Sequence, residues 1–240
     1  MSQRKWDWRP KLRWFAAEIV VVVAGVLIAF AVNAWWADRT ERVRVTAALE
    51  NVAAEIASNV DELREVVAHT EGTVETLDRF LARTPDDLRL LSRDSLVEVR
   101  IALVRPWTYD PGGGALSALL GSSDFAALDN IPLREALIEW QRIPDEIAED
   151  YADLSALAQM LRGPIAEHGL DLAFQVTQGD STDVAPGVGV AFAAFRADTR
   201  ASDYAAQMYY ARRGYGRELA AFIPVGDSLV QAITTARPAR

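Results

Sequence analysis

Hydrophobic and polar positions divide this chain into a long apolar run, several amphipathic stripes and a few turn-rich breaks. From residue 19 to residue 36 no charged side chain occurs, and the only strongly polar one is Asn33. A bilayer's hydrocarbon core takes about 20 apolar residues in a helix, so residues 14–36 are long enough to cross one. Aromatic residues mark both ends, with Trp14 and Phe15 before the run and Trp35 and Trp36 after it. Indole rings favour the headgroup region, where one edge is apolar and the N–H finds a polar partner. A transmembrane anchor is expected. The small pairs Ala29/Ala31 and Val32/Ala34 could mark a cleaved secretory signal instead. The apolar run continues past them to Trp36, and Glu18 sits in its first turn, so a retained anchor is the expectation.

Beyond Trp36 neither proline nor glycine occurs before Gly72. Leu49, Val52, Ile56, Val60, Leu63, Val67, Thr70, Val74, Leu77 and Leu81 follow 3/4 spacing, which is the buried stripe of a helix. The anchor should therefore run on unbroken as the first helix of an outer bundle. Thr84-Pro85-Asp86-Asp87 reads as a turn that caps a second helix, itself interrupted near Ser92. Residues 105–114 hold two prolines and three consecutive glycines and are expected to be a loop. A short helix follows to Leu120, a capped turn starts at Ser122, and Asn130-Ile131-Pro132 signals a new helix. Its stripe runs from Leu133 through Trp140 to Leu161, with a kink or division expected at Pro144 and an end at Gly163-Pro164. Residues 169–200 are irregular, with a short strand or helix around 190–195. The last stripe spans 202–236, with a kink or break expected from Gly214, Gly216 and Pro224. The fold class is all-α, with residues 1–13 as a basic tail, 14–36 as the anchor and 37–240 as an extramembrane helical domain.

Charge orients this arrangement. The net charge is −9, yet Arg4, Lys5, Arg9, Lys11 and Arg13 stand against Asp7 alone in the first 13 residues. Basic flanks stay on the cytoplasmic side, and the far flank has three arginines, Arg39, Arg42 and Arg44. The expected topology is N-terminus inside the cytoplasmic membrane and the acidic bulk outside, in a periplasm where one exists. An acidic bulk lacks the basic face that nucleic acid requires. There is no cysteine, which removes disulfides and thiolate chemistry.

Within the span, Glu18, Val22, Gly25, Ala29, Asn33 and Trp36 share one helical face. Small residues let a second helix approach, and hydrogen-bonding groups gain from a partner that lipid cannot supply. Glu18, Gly25, Ala29 and Asn33 are thus candidates for helix association in the membrane. The plainer reading is that Glu18 and Asn33 lie near the two headgroup layers and reach water.

The run at residues 18–42, EIVVVVAGVLIAFAVNAWWADRTER, resembles the opening of a bacterial single-pass membrane family classed as a domain of unknown function. The resemblance rests on Glu18, Ile19, Gly25, Asn33, Trp36 and Arg39. A second likeness lies in residues 115–140, a small-residue turn followed by an Asp/Asn cap and a Leu-Arg-x-x-Leu helix. The chain departs from the family in reading Asn33-Ala34-Trp35-Trp36 where a plainer Asn-Asn-Trp is common. The resemblance implies an anchored helical protein and no activity.

Motifs for nucleophilic elbows, phosphate loops and zinc helices are absent. His69 and His168 stand far apart, each without a constellation, and no catalytic, cofactor or metal residue is assigned. The glycines at 112–114 could present N–H groups to an anion, but no Lys or Arg follows them, and a hinge is the simpler role. Asp145, Glu146, Glu149, Asp150 and Asp153 crowd one stretch and read as a solvated acidic face. Arg212 and Arg213 are placed to pair with it. Trp107 and Tyr109 flank the glycine-rich loop and are candidates for a pocket or partner surface, beside Trp140, Tyr209 and Tyr210. The expected function is protein–protein association as a scaffold or accessory subunit, with the bilayer and a second copy or another membrane protein as partners. A ligand-sensing ectodomain is the alternative, although no second apolar span connects it to an output. A tethered hydrolase has no residues behind it.

Overall fold

A computed structural model describes residues 9–171 and 187–236, with side-chain surroundings given from residue 18 onward except at Val20. Every regular element among them is a helix. Helix α1 (Arg9–Ala82) runs 74 residues without interruption, roughly 110 Å at 1.5 Å per residue. It is followed by α2 (Pro85–Leu88), α3 (Arg93–Val104), α4 (Gly114–Leu120), α5 (Ser123–Ala126), α6 (Ile131–Glu167), α7 (Val188–Ala197) and α8 (Thr199–Thr235). The all-α expectation and the continuous first helix both stand.

The starts of these helices follow cap chemistry. Thr84 and Asp87 form a reciprocal capping box at α2, and the hydroxyls of Ser92 and Ser122 accept from backbone N–H groups at α3 and α5. Asn130 caps α6 ahead of Pro132, and Asp198 caps α8.

The four rods alternate in direction. Arg64 of α1 pairs with Asp227 of α8, whereas Gly216 lies against Thr70, so α8 descends along α1. Between them, residues 91–126 come back down α1 in pieces: Leu91 and Val99 lie near Phe80, Asp110 meets Glu62, Ala115 meets Glu55, and Asp124 meets Arg44. Helix α6 climbs again and packs on α8. The result is an up-down-up-down bundle whose second rod is broken at residues 105–113. Its core contains Leu49, Val52, Ile56, Val60, Leu63, Val67 and Leu77 of the expected α1 stripe, with Thr73 buried in place of Val74, along with Leu133, Leu137, Trp140 and Ile147 of α6 and Met208, Tyr215, Leu219 and Ile233 of α8.

Helices α6 and α8 continue through the three places where an end, or a kink or division, is expected from the sequence. Helix α6 passes through Pro144 and Pro164 and ends at Glu167, before Gly169 at φ 69°. Each proline removes one backbone hydrogen bond, and the buried neighbours Ile143, Ile147, Leu161 and Ile165 hold the helix together around it. Helix α8 likewise passes through Gly214, Gly216 and Pro224. Two of its glycines serve close approach. A Cβ on Gly216 would sit 3.1 Å from Thr70, and one on Gly226 would sit 2.3 Å from Val60 and 2.6 Å from Trp140. The buried stripe accordingly shifts by one residue, with Gly226 inside and Val225 out. Of the irregular stretch at 169–200, residues 188–197 form the helix α7 and α8 begins at Thr199, while 172–186 lie outside the described residues.

Candidate functional site

The first candidate region is the bare part of α1. Every residue from Val21 to Arg44 is exposed, as are Glu18 and Ile19, and an 18-residue window of mean hydropathy 1.8 has none of its residues buried. This is the one helix among the described residues long and apolar enough to cross a membrane. Gly25, Ala29 and Asn33 lie on it with Glu18, and a Cβ added to Gly25 would meet nothing within 4 Å. At its bundle-side end Trp35 and Trp36 lie 6.2 Å apart, and the Arg39 guanidinium stands 5.9 Å over the Trp35 ring. Asp38 pairs with Arg42 one turn on. The bundle begins immediately above, at Val45.

The second region is the break in the descending rod. Three polar residues of α1 at spacings 4 and 3 hold it. The Glu62 carboxylate accepts from Asp110 N–H at 2.9 Å. The Asn59 amide brackets Gly112, donating to its carbonyl at 2.7 Å and accepting from its N–H at 3.0 Å. Glu55 accepts from the N–H groups of Ala115 and Leu116 at 2.6 and 3.1 Å. Helix α4 has no side-chain cap of its own, so Glu55 supplies the anion that its N-terminus attracts. The N–H groups offered on either side of the glycines, at Asp110, Ala115 and Leu116, thus go to carboxylates of the chain itself, and that of Gly112 goes to the Asn59 amide.

Two turns beyond Glu62, His69 lies against Trp107 with ring centroids 3.9 Å apart. Trp107 keeps 42% of its surface exposed, whereas Tyr109 keeps only 7% and belongs to the core. Burial chiefly, and then the charges of Arg212 and Arg105, depress the His69 pKa. Burial raises the Tyr109 hydroxyl above its ordinary range.

Among the described residues Arg212 is the largest fully buried side chain, 1% exposed, and its Nε and Nη2 meet no hydrogen-bond partner there. Burial lowers its pKa to about 10, so the guanidinium remains charged at neutral pH. Tyr215, one turn further, is buried with its hydroxyl facing the Tyr109 backbone at poor hydrogen-bond geometry, and burial first raises its pKa to about 12. The expected pairing of Arg212 and Arg213 with the acidic stretch at 145–153 is not seen among the described residues. Arg212 lies on the buried face of α8, and Arg213 points to the Tyr209 hydroxyl at 3.4 Å. Glu218 meets Asp150 instead, and that hydrogen bond, with burial and the nearby Glu146, raises the Glu218 pKa to about 7. Trp140 is buried against Gly226, while Tyr210 is exposed and packs edge-on against Tyr209. His168 bonds Asp198 at 3.1 Å, tying the end of α6 to the cap of α8. No group of three His, Asp or Glu among the described residues is arranged to hold a metal.

Sequence reasoning missed both the Glu55–Asn59–Glu62 set and the buried arginine. A signal existed for each. Glu55, Asn59 and Glu62 share one helical face beside the apolar stripe. Arg212 stands four residues after Met208 and three before Tyr215, in the register of the buried stripe itself.

Fold and geometry define an all-α protein with one long, bare apolar helix near its N-terminus. No family model, curated protein or solved structure matches the chain.

Proposed function

We propose that this is a membrane-anchored helical protein that works by protein–protein association, as a scaffold or accessory subunit held on the outer side of the cytoplasmic membrane. The observation that carries the reading is the bare stretch of α1, an apolar surface that none of the described residues covers. Exposing that many Val, Ile, Leu and Phe side chains to water would cost about 25 cal/mol per Å² of apolar surface, and lipid removes the cost. The basic residues before the span and the acidic bundle after it favour an outward-facing domain. Glu18, Gly25, Ala29 and Asn33 give the span one face suited to a second helix, from another copy or another membrane protein.

Size measurement of the chain in mild detergent tests the association. A dimer or larger assembly that falls to monomer on Gly25→Leu supports it, and a wild-type monomer of unchanged size overturns self-association. A reporter fused after Arg240 should be active only outside the cytoplasm; activity inside reverses the topology.

A further inference from the structure

The end of the bundle nearest the bare stretch of α1 is not closed. Just past Trp36, Asp38, Glu41 and Arg42 form the lip of a groove of about 660 Å³. Val45 and Leu49 continue that wall upward, and Leu128, Leu133 and Ala236 line the other sides. At 1.5 Å per residue the lip lies about 3–9 Å beyond Trp36. That is the height of a lipid headgroup layer, roughly 5–7 Å thick outside the hydrocarbon core.

A second groove, of about 680 Å³, lies between α6 and α8 and shares Asn130 and Leu133 with the first. Pro132, Ala136, Pro224, Val225, Leu229 and Ala232 line it, and among its lining residues only Glu139 is charged. Its floor is closed and its mouth open, with Leu229 3% and Val225 46% exposed. From Val225 to Thr235 it follows α8 for about 15 Å. Short side chains at Ala136 and Ala232 leave the seam unfilled where leucines would close it. Contiguous apolar surface left open in this way marks a place for an apolar partner.

Position and lining decide which partner. Walls of proline, alanine, valine and leucine reward an acyl chain and leave a polar ligand short of hydrogen bonds. The lip lies on the same unbroken helix as the apolar span, so the adjoining leaflet is the source of chains closest to it. At the lip Asp38 is paired with Arg42, and Glu41 lies beside them, so charges of both signs meet a zwitterionic head.

We propose that the paired grooves hold one acyl chain of a phospholipid from the adjoining leaflet, its head at the Asp38–Arg42 lip and its chain along α8 toward Val225. That seat depends on residues 14–36 being the anchor, which alone brings a leaflet to the lip.

The test uses the full chain in phosphatidylcholine vesicles doped with a phosphatidylcholine that carries a diazirine at the end of one acyl chain. Light expels dinitrogen, the carbene inserts into whatever the chain end touches, and mass spectrometry of the digested protein locates it. Cross-links should appear on residues 19–36 and again on residues 132–139 or 224–235. The groove yield should exceed by about tenfold that at Leu90, an 87% exposed side chain at the far end of the bundle. Ala136→Asp, at an exposed position, should cut the groove yield about tenfold and leave that of 19–36 unchanged, because a carboxylate is not desolvated against an acyl chain. Val225→Asp should do the same. Cross-links on 19–36 with none in the groove overturn the proposal, which is the result if a helix of a second copy fills it. Groove yields no higher than at Leu90, or undiminished in both variants, overturn it as well. Absence of cross-links on 19–36 overturns the anchor itself, and the seat with it.

Discussion

The two halves of α1 belong to one unbroken helix and end in opposite surroundings. Residues 21–44 are uniformly exposed, whereas Leu49, Val52, Ile56, Val60 and Leu63 are each buried against other helices. What differs is the pattern: residues 21–36 are apolar around the whole circumference but for Asn33, and the upper half alternates a stripe with Glu, Asp and Arg. A helix apolar all round is solvated by hydrocarbon, and one with a stripe is solvated by its neighbours on one side and water on the other.

The largest test of that difference replaces equivalent leucines. Leu63→Ala in the packed half should destabilise the bundle by about 2–5 kcal/mol, because a buried leucine leaves both lost burial and a cavity. Leu27→Ala in the bare half should leave it unchanged within about 0.5 kcal/mol, since that side chain touches no other helix of the fold. Urea unfolding in detergent, followed by tertiary circular dichroism of the bundle, measures both. Equal losses would mean that the bare half folds back onto the bundle, and the contrast would fail.

The second test sharpens how closely the packed half is gripped. Gly226→Ala forces a methyl against Val60 and the Trp140 ring, both buried. Overpacking costs about 1–3 kcal/mol, and the better helix propensity of alanine returns up to about 1 kcal/mol. A net loss of about 1–2 kcal/mol is expected. Gly214→Ala, where a Cβ would meet nothing within 4 Å, should instead stabilise by about 0.5–1 kcal/mol. Opposite signs at two glycines twelve residues apart would establish that α8 uses one for contact and merely tolerates the other. Matching signs would show that the α1–α8 contact yields.

Those glycines also show where the sequence could and could not be read. Local chemistry was legible: Ser92, Ser122, Asn130 and Thr84 cap helices where their side chains and the following residues said they would. Stripe positions were legible too, because 3/4 spacing depends on the chain alone. Glycine and proline in α6 and α8 were misleading, since their local cost was outweighed by packing from residues far away in sequence. Val60 and Trp140, not the neighbours of Gly226, decide what that glycine is for. The same holds for Arg212. Its register gave its burial, but what lies opposite it depends on how α1, α6 and the 105–113 segment converge. Trp107 and Tyr109, two residues apart, separate into surface and core for the same reason: the Glu62, Asn59 and Glu55 anchors fix the segment's path, and only that path decides which aromatic ring turns inward.

The smallest expected effect concerns acid and base, and it confines pH sensitivity to the packed half. Glu218 is held protonated beside Asp150, with its pKa raised to about 7 chiefly by that hydrogen bond. In the unfolded chain it titrates near 4.5. The folded state therefore binds more protons between those values, and stability falls as pH rises through that window. The side chain is exposed, so solvent screening keeps the effect modest. His69 works the other way, because its depressed pKa makes the unfolded state the better proton acceptor at and below pH 6.5. A direct comparison of two variants removes that opposing slope, since His69 is common to both. Glu218→Gln retains a hydrogen bond to Asp150 without a titratable proton. Its unfolding midpoint should equal that of the wild type at pH 5 and exceed it at pH 8, with the difference opening between pH 5 and 7. Parallel profiles would show that the two carboxyls do not share a proton, and that α6 and α8 meet there through water.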